Sequence, residues 1–179
     1  MTATVVAQAA TLIATLVVFL FMLAEARLAF AHERALRTRG ATEPADDVYE
    51  TMRWAYPACF LAMGIEGAVI GRSPGIVTLL GVVLCAAAKA LKYWAISALG
   101  DRWTFRVLVP PGEPLVTKGP YVWLRHPNYV AVVGELISFG LIAGAPTSCV
   151  VSVLGFGGLI RRRMRVEERV LGGYTDPTS

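Results

Sequence analysis

Apolar residues in this chain come in long blocks separated by short polar stretches. The blocks cover about 4–31, 51–70, 76–99, 126–143 and 147–160. Each lies near the roughly 20 residues that carry a helix across a bilayer. Within them apolar positions follow one another instead of recurring on one helical face. That pattern predicts membrane spans and not the amphipathic helices of a soluble core. The expected fold is an all-α integral membrane protein with about five transmembrane helices. Gly71-Arg-Ser-Pro-Gly75 separates the second block from the third, and Gly144-Ala-Pro146 the fourth from the fifth. The fifth block carries Gly155, Gly157 and Gly158, which would let a neighbouring helix or a ligand approach closely. Polar connections are expected at 32–50 and at 100–125, the latter rich in Pro, Gly and aromatic residues. A separate basic-then-acidic helix at 161–171 leaves the last span, and Gly172 and Gly173 end it.

Composition strengthens this picture. Of 179 residues, 55% are hydrophobic and 17% charged, and the mean hydropathy of +0.56 is high for a soluble domain. No basic stretch precedes the first block, which is also too long for a signal peptide, so it reads as a retained helix. A net charge of +4 would suit nucleic acid, but the charges gather at the ends of the apolar blocks. That is the distribution of topology signals and headgroup contacts, and no nucleic-acid partner is expected. With the N-terminus outside, segments 32–53, 100–125 and 161–169 place thirteen Lys or Arg on the cytoplasmic side, against Arg72 alone in the opposite loops. Cys59, Cys85 and Cys149 lie inside apolar blocks without Cys-x-x-Cys spacing. They read as small buried hydrophobes, and neither a disulfide framework nor a metal site is expected.

Residues 115–129 read Leu-Val-Thr-Lys-Gly-Pro-Tyr-Val-Trp-Leu-Arg-His-Pro-Asn-Tyr. Polar chemistry held against a bilayer is a site hypothesis by default. Each residue also has a plainer role. His126 can cap the fourth helix with Pro127 in its first turn, and Tyr121, Trp123 and Tyr129 can form an interfacial belt. The Arg161–Arg165 run can anchor topology, and Glu167 and Glu168 can be a solvated face paired with it. Inside the blocks, Glu66 is expected to pair with Lys89 or Lys92 and lock two spans, and Glu25 and Arg27 are read as structural. An ion relay through Glu66 and the lysines would suit a small transporter, although no internal repeat is found.

The stretch resembles the signature of the isoprenylcysteine carboxyl methyltransferase family of integral membrane enzymes. The match comprises Leu-Val-Thr at 115–117, Gly-x-Tyr at 119–121 and Arg-His-Pro-x-Tyr at 125–129. The resemblance implies a methyltransferase that uses S-adenosylmethionine, held by Leu115, Val116, Tyr121, His126, Pro127, Asn128 and Tyr129. It also implies a cofactor-binding Glu on the C-terminal helix, best matched by Glu167, and a catalytic, substrate-engaging Arg four residues earlier, Arg163. One helical turn separates these two, so they share a face. Such a cofactor needs a carboxylate for its ammonium, a flat slot for its adenine and aromatic faces for its sulfonium. No Gly-x-Gly-x-x-Gly follows a strand, so a Rossmann methyltransferase is not expected.

The specific match covers 89–129 and 161–174. Segments 24–43 and 92–104 are similar to bacterial members more loosely, including enzymes that methylate alkylpyrones and alkylresorcinols. The chain departs from the eukaryotic pattern at Asn128, at Glu113-Pro114 and in having fewer spans. The expected protein is one membrane-embedded methyltransferase domain over 1–179. Three spans lie in 1–99 and a cofactor-binding core in 100–179, facing the cytoplasm from a bacterial plasma membrane. Its expected partners are membrane lipids and a lipophilic or lipidated acceptor bearing a hydroxyl or a carboxylate. A phospholipid-type N-methyltransferase and a non-catalytic scaffold are the alternatives.

Overall fold

The computed structural model describes residues 3–111 and 116–172. Five helices account for most of them: α1 (Ala3–Thr38), α2 (Tyr49–Ile70), α3 (Ile76–Leu99), α4 (Pro127–Ala143) and α5 (Pro146–Gly172). Between α3 and α4 the chain makes two 3-10 turns, Gly100–Arg102 and Gly119–Val122. Its one strand-like contact among the described residues is an isolated antiparallel bridge between Thr42 and Val109.

Two boundaries differ from the sequence expectation. Residues 32–38, expected in a loop, complete α1, because no Gly or Pro interrupts the chain before Gly40, where φ reaches +82°. The expected fifth span and the separate charged helix are one continuous rod, α5, since glycine lowers helix propensity without breaking a helix as proline does. Gly173, read as ending the last helix, lies outside the described residues, and the other breakers act as read. Gly71 and Gly144 take the left-handed conformation that closes α2 and α4.

Among the described residues, two helical segments, Ala3–Thr38 and Ile76–Arg102, are by length and composition long and apolar enough to cross a membrane, and α4 is apolar but shorter. The block pattern predicts about five. Glu50, Arg53 and Glu66 in α2 and the basic run from Arg161 in α5 interrupt the apolar stretches there. The outer faces are nonetheless apolar: Leu12, Ile13, Leu16, Leu61, Ile65, Val69, Leu79, Val83, Val150 and Leu154 are each more than half exposed. Inside, Phe60, Met63, Leu136, Phe139, Phe156 and Ile160 join α2, α4 and α5 in one core. The rings of Phe60 and Phe139 lie 5.2 Å apart within it.

Helices approach most closely where a side chain is missing. A Cβ on Gly81 would sit 2.9 Å from the Ser138 carbonyl oxygen in α4, and one on Gly67 would overlap the Ala143 carbonyl. Gly155, Gly157 and Gly158, read from sequence as the close-approach positions, instead have nothing within 4 Å of where a Cβ would lie. Gly67→Ala should therefore cost about 1–3 kcal/mol by overpacking α2 on α4. Gly155→Ala should be neutral or stabilising by up to about 1 kcal/mol. Thermal unfolding in detergent distinguishes the two, and equal midpoints would refute the packing assignment.

Antiparallel helices collect the connections at two ends. At one end Glu66 accepts hydrogen bonds from the backbone N–H groups of Thr147 (3.1 Å) and Ser148 (2.6 Å). A carboxylate there satisfies orphan donors and complements the N-terminal dipole of α5. Glu66 thus does not pair with the lysines as expected, and the relay through it is not formed. At the other end, ion pairs tie the loops together: Arg169 to Asp46 (2.5 Å), Arg106 to Glu43 and Glu50 (2.6 Å each) and Arg39 to Asp101 (3.0 Å).

Candidate active site

At the charged end, the Gly-Pro turn is pressed against α3. Gly119 has φ +62°, and a Cβ there would lie 2.8 Å from Ala98 and 3.3 Å from the Trp94 indole, so glycine fits where a side chain would not. The turn delivers Val116 and Tyr121 to one side of His126, the last residue before α4. Pro127 supplies the fixed φ for the first helical position and is buried. One turn on, Tyr129 points toward α5, where Arg163 and Glu167 stand four residues apart.

These groups form a closed network. Arg163 Nε donates to the Tyr129 hydroxyl oxygen (2.8 Å) and to Glu167 Oε1 (3.3 Å). The Tyr129 hydroxyl in turn donates a short hydrogen bond to the same Glu167 oxygen. The two ring nitrogens of His126 address two carboxylates, Nε2 to Glu168 (3.2 Å) and Nδ1 to Glu167 (3.5 Å). Arg163 is only 5% exposed, and its Nη1 also faces Asp47 at 3.5 Å. Asp47 fixes the opposite wall, accepting from the backbone N–H of Val107 (2.9 Å) and of Tyr49 (3.1 Å).

Electrostatics follow from this packing. Burial alone would push the Glu167 carboxyl up, but the hydrogen bond from His126, the Arg163 charge and the Tyr129 hydroxyl hold it below the ordinary value. His126 is pushed up chiefly by its contact with Glu167, with Glu168 adding to it against the opposing effect of burial. Burial, with the nearby Glu167 charge, raises the Tyr121 phenol. Glu167 therefore stays ionised and Tyr121 neutral at physiological pH.

A cavity of about 1230 Å³ opens beside the network. Val116, Tyr121, His126, Asn128, Tyr129, Arg163 and Glu167 all line it, while Pro127 is packed behind it and Leu115 lies outside the described residues. Sequence reading missed much of the remaining wall. Trp103 is 2% exposed; its indole N–H points to Asn128 Oδ1 (3.5 Å), and its carbonyl accepts from His32 Nδ1 (2.9 Å). Asp47 shows in the sequence only as a loop charge. Deeper down, Glu25, Lys92 and Tyr56 also face the cavity. Lys89 and Lys92 each bridge Glu25 and Glu135, at 2.6–2.9 Å, and the Tyr56 hydroxyl donates to Glu135. A charge balance over the apolar blocks would have pointed to Glu135 as the missing anion.

The sequence profile of the isoprenylcysteine carboxyl methyltransferase (ICMT) family matches residues 78–172, more than half of the chain. The chain belongs to this family. Its relatives include the uncharacterized protein YpbQ of Bacillus subtilis, 32% identical over 153 residues that cover 85% of this chain and 90% of that one. An uncharacterized protein of Haemophilus influenzae is 23% identical over 145 residues, covering 80% and 84% respectively. No solved structure matches. ICMT members are methyltransferases that use S-adenosylmethionine as methyl donor. The matched region spans α3, the 100–126 segment, α4 and α5, and so contains the Tyr129–Arg163–Glu167 network whole.

Proposed function

We propose that this ICMT-family chain is an integral membrane O-methyltransferase that uses S-adenosylmethionine and a lipophilic acceptor. One observation carries the reading: the 116–129 segment and the end of α5, far apart in sequence, meet around a single cavity. The donor set suits the cofactor. Glu167 and Glu168 offer carboxylates for an ammonium, and Tyr121, Tyr129 and Trp103 offer aromatic surface to a cation. Val116 and Asn128 complete the wall on the same side. Once bound there, S-adenosylmethionine supplies an electrophilic methyl group. The protein's part is to hold and orient: Arg163 fixes the Tyr129 hydroxyl and Glu167, and Asp47 fixes Arg163. Arg163, buried beside the cavity, is also the cation available to an acceptor oxygen.

The apolar outer faces support burial of the bundle in a bilayer, since a soluble monomer rarely exposes so continuous an apolar surface. The excess of Lys and Arg at the site end supports a cytoplasmic orientation. The cavity is lined toward α1 and α2 by Phe19, Met22, Met52 and Pro57. An acceptor entering sideways from lipid keeps its tail out of water, which would otherwise cost about 0.8 kcal/mol per CH₂.

Calorimetry on the purified protein tests the reading. S-adenosylmethionine should bind, and Glu167→Gln should weaken it at least about tenfold, as loss of a charged hydrogen bond does. Unchanged affinity would remove Glu167 from the site. The raised His126 value adds a pH signature. Its ion pairs contribute stability fully below the ordinary histidine value of about 6.5, and that contribution fades as pH rises through the raised one. His126→Gln should therefore flatten the decline in thermal midpoint across that window; a parallel decline in the variant would count against it.

A further inference from the structure

We infer that Glu25, Lys92 and Tyr56 form a second polar subsite in the floor of the cavity, built to receive a neutral hydroxyl of a lipophilic ligand and to exclude a carboxylate. The inference rests on the methyltransferase reading for the ligand's role, and it narrows the acceptor class left open there.

The subsite belongs to a four-charge cluster that is electroneutral and almost fully enclosed: Glu25 is 3% exposed, Lys92 2% and Glu135 4%. Each carboxylate has both lysines as partners, Glu25 at 2.7 and 2.6 Å and Glu135 at 2.8 and 2.9 Å. Of the cluster, Glu25 and Lys92 line the cavity together with Tyr56, whereas Lys89 and Glu135 stand behind. The Tyr56 hydroxyl engages Glu135 Oε2, while Glu135 Oε1 is ion-paired with Lys89 without a hydrogen bond and lies behind the wall, so Glu25 is the carboxylate that faces a visitor.

Hydrogen-bond capacity decides what the visitor is. An ionised carboxylate offers about four acceptor positions and an ammonium three donors. Glu25 receives one lysine on each oxygen, so lone pairs remain. Lys92 gives two of its three donors to Glu25 and Glu135 and faces the Tyr56 ring at 5.7 Å, with no third hydrogen bond among the described residues. A hydroxyl matches both vacant capacities, accepting from Lys92 and donating to Glu25. A carboxylate matches one only. It cannot donate to Glu25, and it would add a third buried anion to a cluster whose charges already cancel. A methyl ether likewise lacks the donor, so a ligand with an ether in place of this hydroxyl would bind less well here.

The placement is consistent with one ligand spanning two levels of the cavity. Glu135 follows Tyr129 by six residues on α4, a rise of about 9 Å. The apolar side chains of Val132 and Phe156 line the cavity as well.

Equilibrium binding to the full chain in nanodiscs, corrected for partition into empty discs, tests the subsite. The probes are pentadecylresorcinol and hexadecanoate at mildly alkaline pH. The wild type should bind the resorcinol at least about tenfold tighter. Glu25→Asp keeps every charge but withdraws the acceptor, and should remove most of that preference. A wild type that prefers hexadecanoate, or shows no preference, overturns the inference without any variant. So does a Glu25→Asp protein with full preference. S-adenosylmethionine binding measured on the same samples separates the two ideas. If the cofactor binds but the preference is absent, the subsite falls and the methyltransferase reading stands. If the preference is present but the cofactor does not bind, the subsite stands and the methyltransferase reading falls.

Discussion

Arg163→Ala is expected to lower methyl transfer by about 10²–10³-fold, the loss seen when an oriented donor is removed from a dry site. It should weaken S-adenosylmethionine binding at the same time. The family resemblance assigns Arg163 to the acceptor and Glu167 to the donor, which predicts that cofactor binding survives the change. The geometry couples them instead, because Arg163 Nε touches both the Tyr129 hydroxyl and Glu167. Removing it leaves the buried Asp47 side chain without its cation and Glu167 with His126 alone, a loss on the order of 3–5 kcal/mol. Asp47 also anchors the backbone at Val107 and Tyr49, so the far wall of the cavity loosens too. Arg163→Lys should restore most of the stability but little of the rate, since an ammonium cannot reproduce the planar fork. Label transfer to extracted lipids, with calorimetry beside it, reads both quantities. An alanine variant of normal rate would exclude Arg163 from the reaction.

Lys92→Met should be the most destabilising single change in the bundle, by about 3–5 kcal/mol. It leaves Glu25 and Glu135, each at most 4% exposed, to share Lys89 alone. Charge counting makes the effect diagnostic. Lys92→Met combined with Glu25→Gln returns the cluster to neutrality and should unfold at a higher temperature than Lys92→Met itself. If the double variant is the weaker, the four groups do not act as one neutral unit.

Much of the site end is legible in the sequence, because its signals are local. Gly119, Pro120 and Pro127 are residues whose backbone preferences fix turns and helix starts wherever they occur. The one-turn spacing of Arg163 and Glu167 needs only helix geometry. What sequence does not yield is long-range or depends on context. Lys89 and Lys92 find Glu25, 64 and 67 residues earlier, and Glu135, while Glu66 goes to the other end of the bundle. Hydropathy alone carries no register between helices, so an ion pair drawn from it is a guess among the available carboxylates. Polarity also misplaces two helix ends. His32, Glu33 and Arg34 are polar yet compatible with a helix, and the change from apolar to basic at Arg161 leaves the backbone of α5 uninterrupted. Asp47 is hidden for a third reason: its role depends on a loop that meets Val107 and Arg163, both far along the chain.

The enclosed cluster also bears on biogenesis. Glu25 leaves the ribosome 64 residues ahead of Lys89, its first cation. A nascent chain that ends after α2 therefore carries this carboxylate without the two lysines that enclose it, and only the arrival of α3 and α4 completes the neutral cluster. Closure of the cluster is thus completed by helices made later, which ties assembly of the bundle to synthesis of most of the polypeptide.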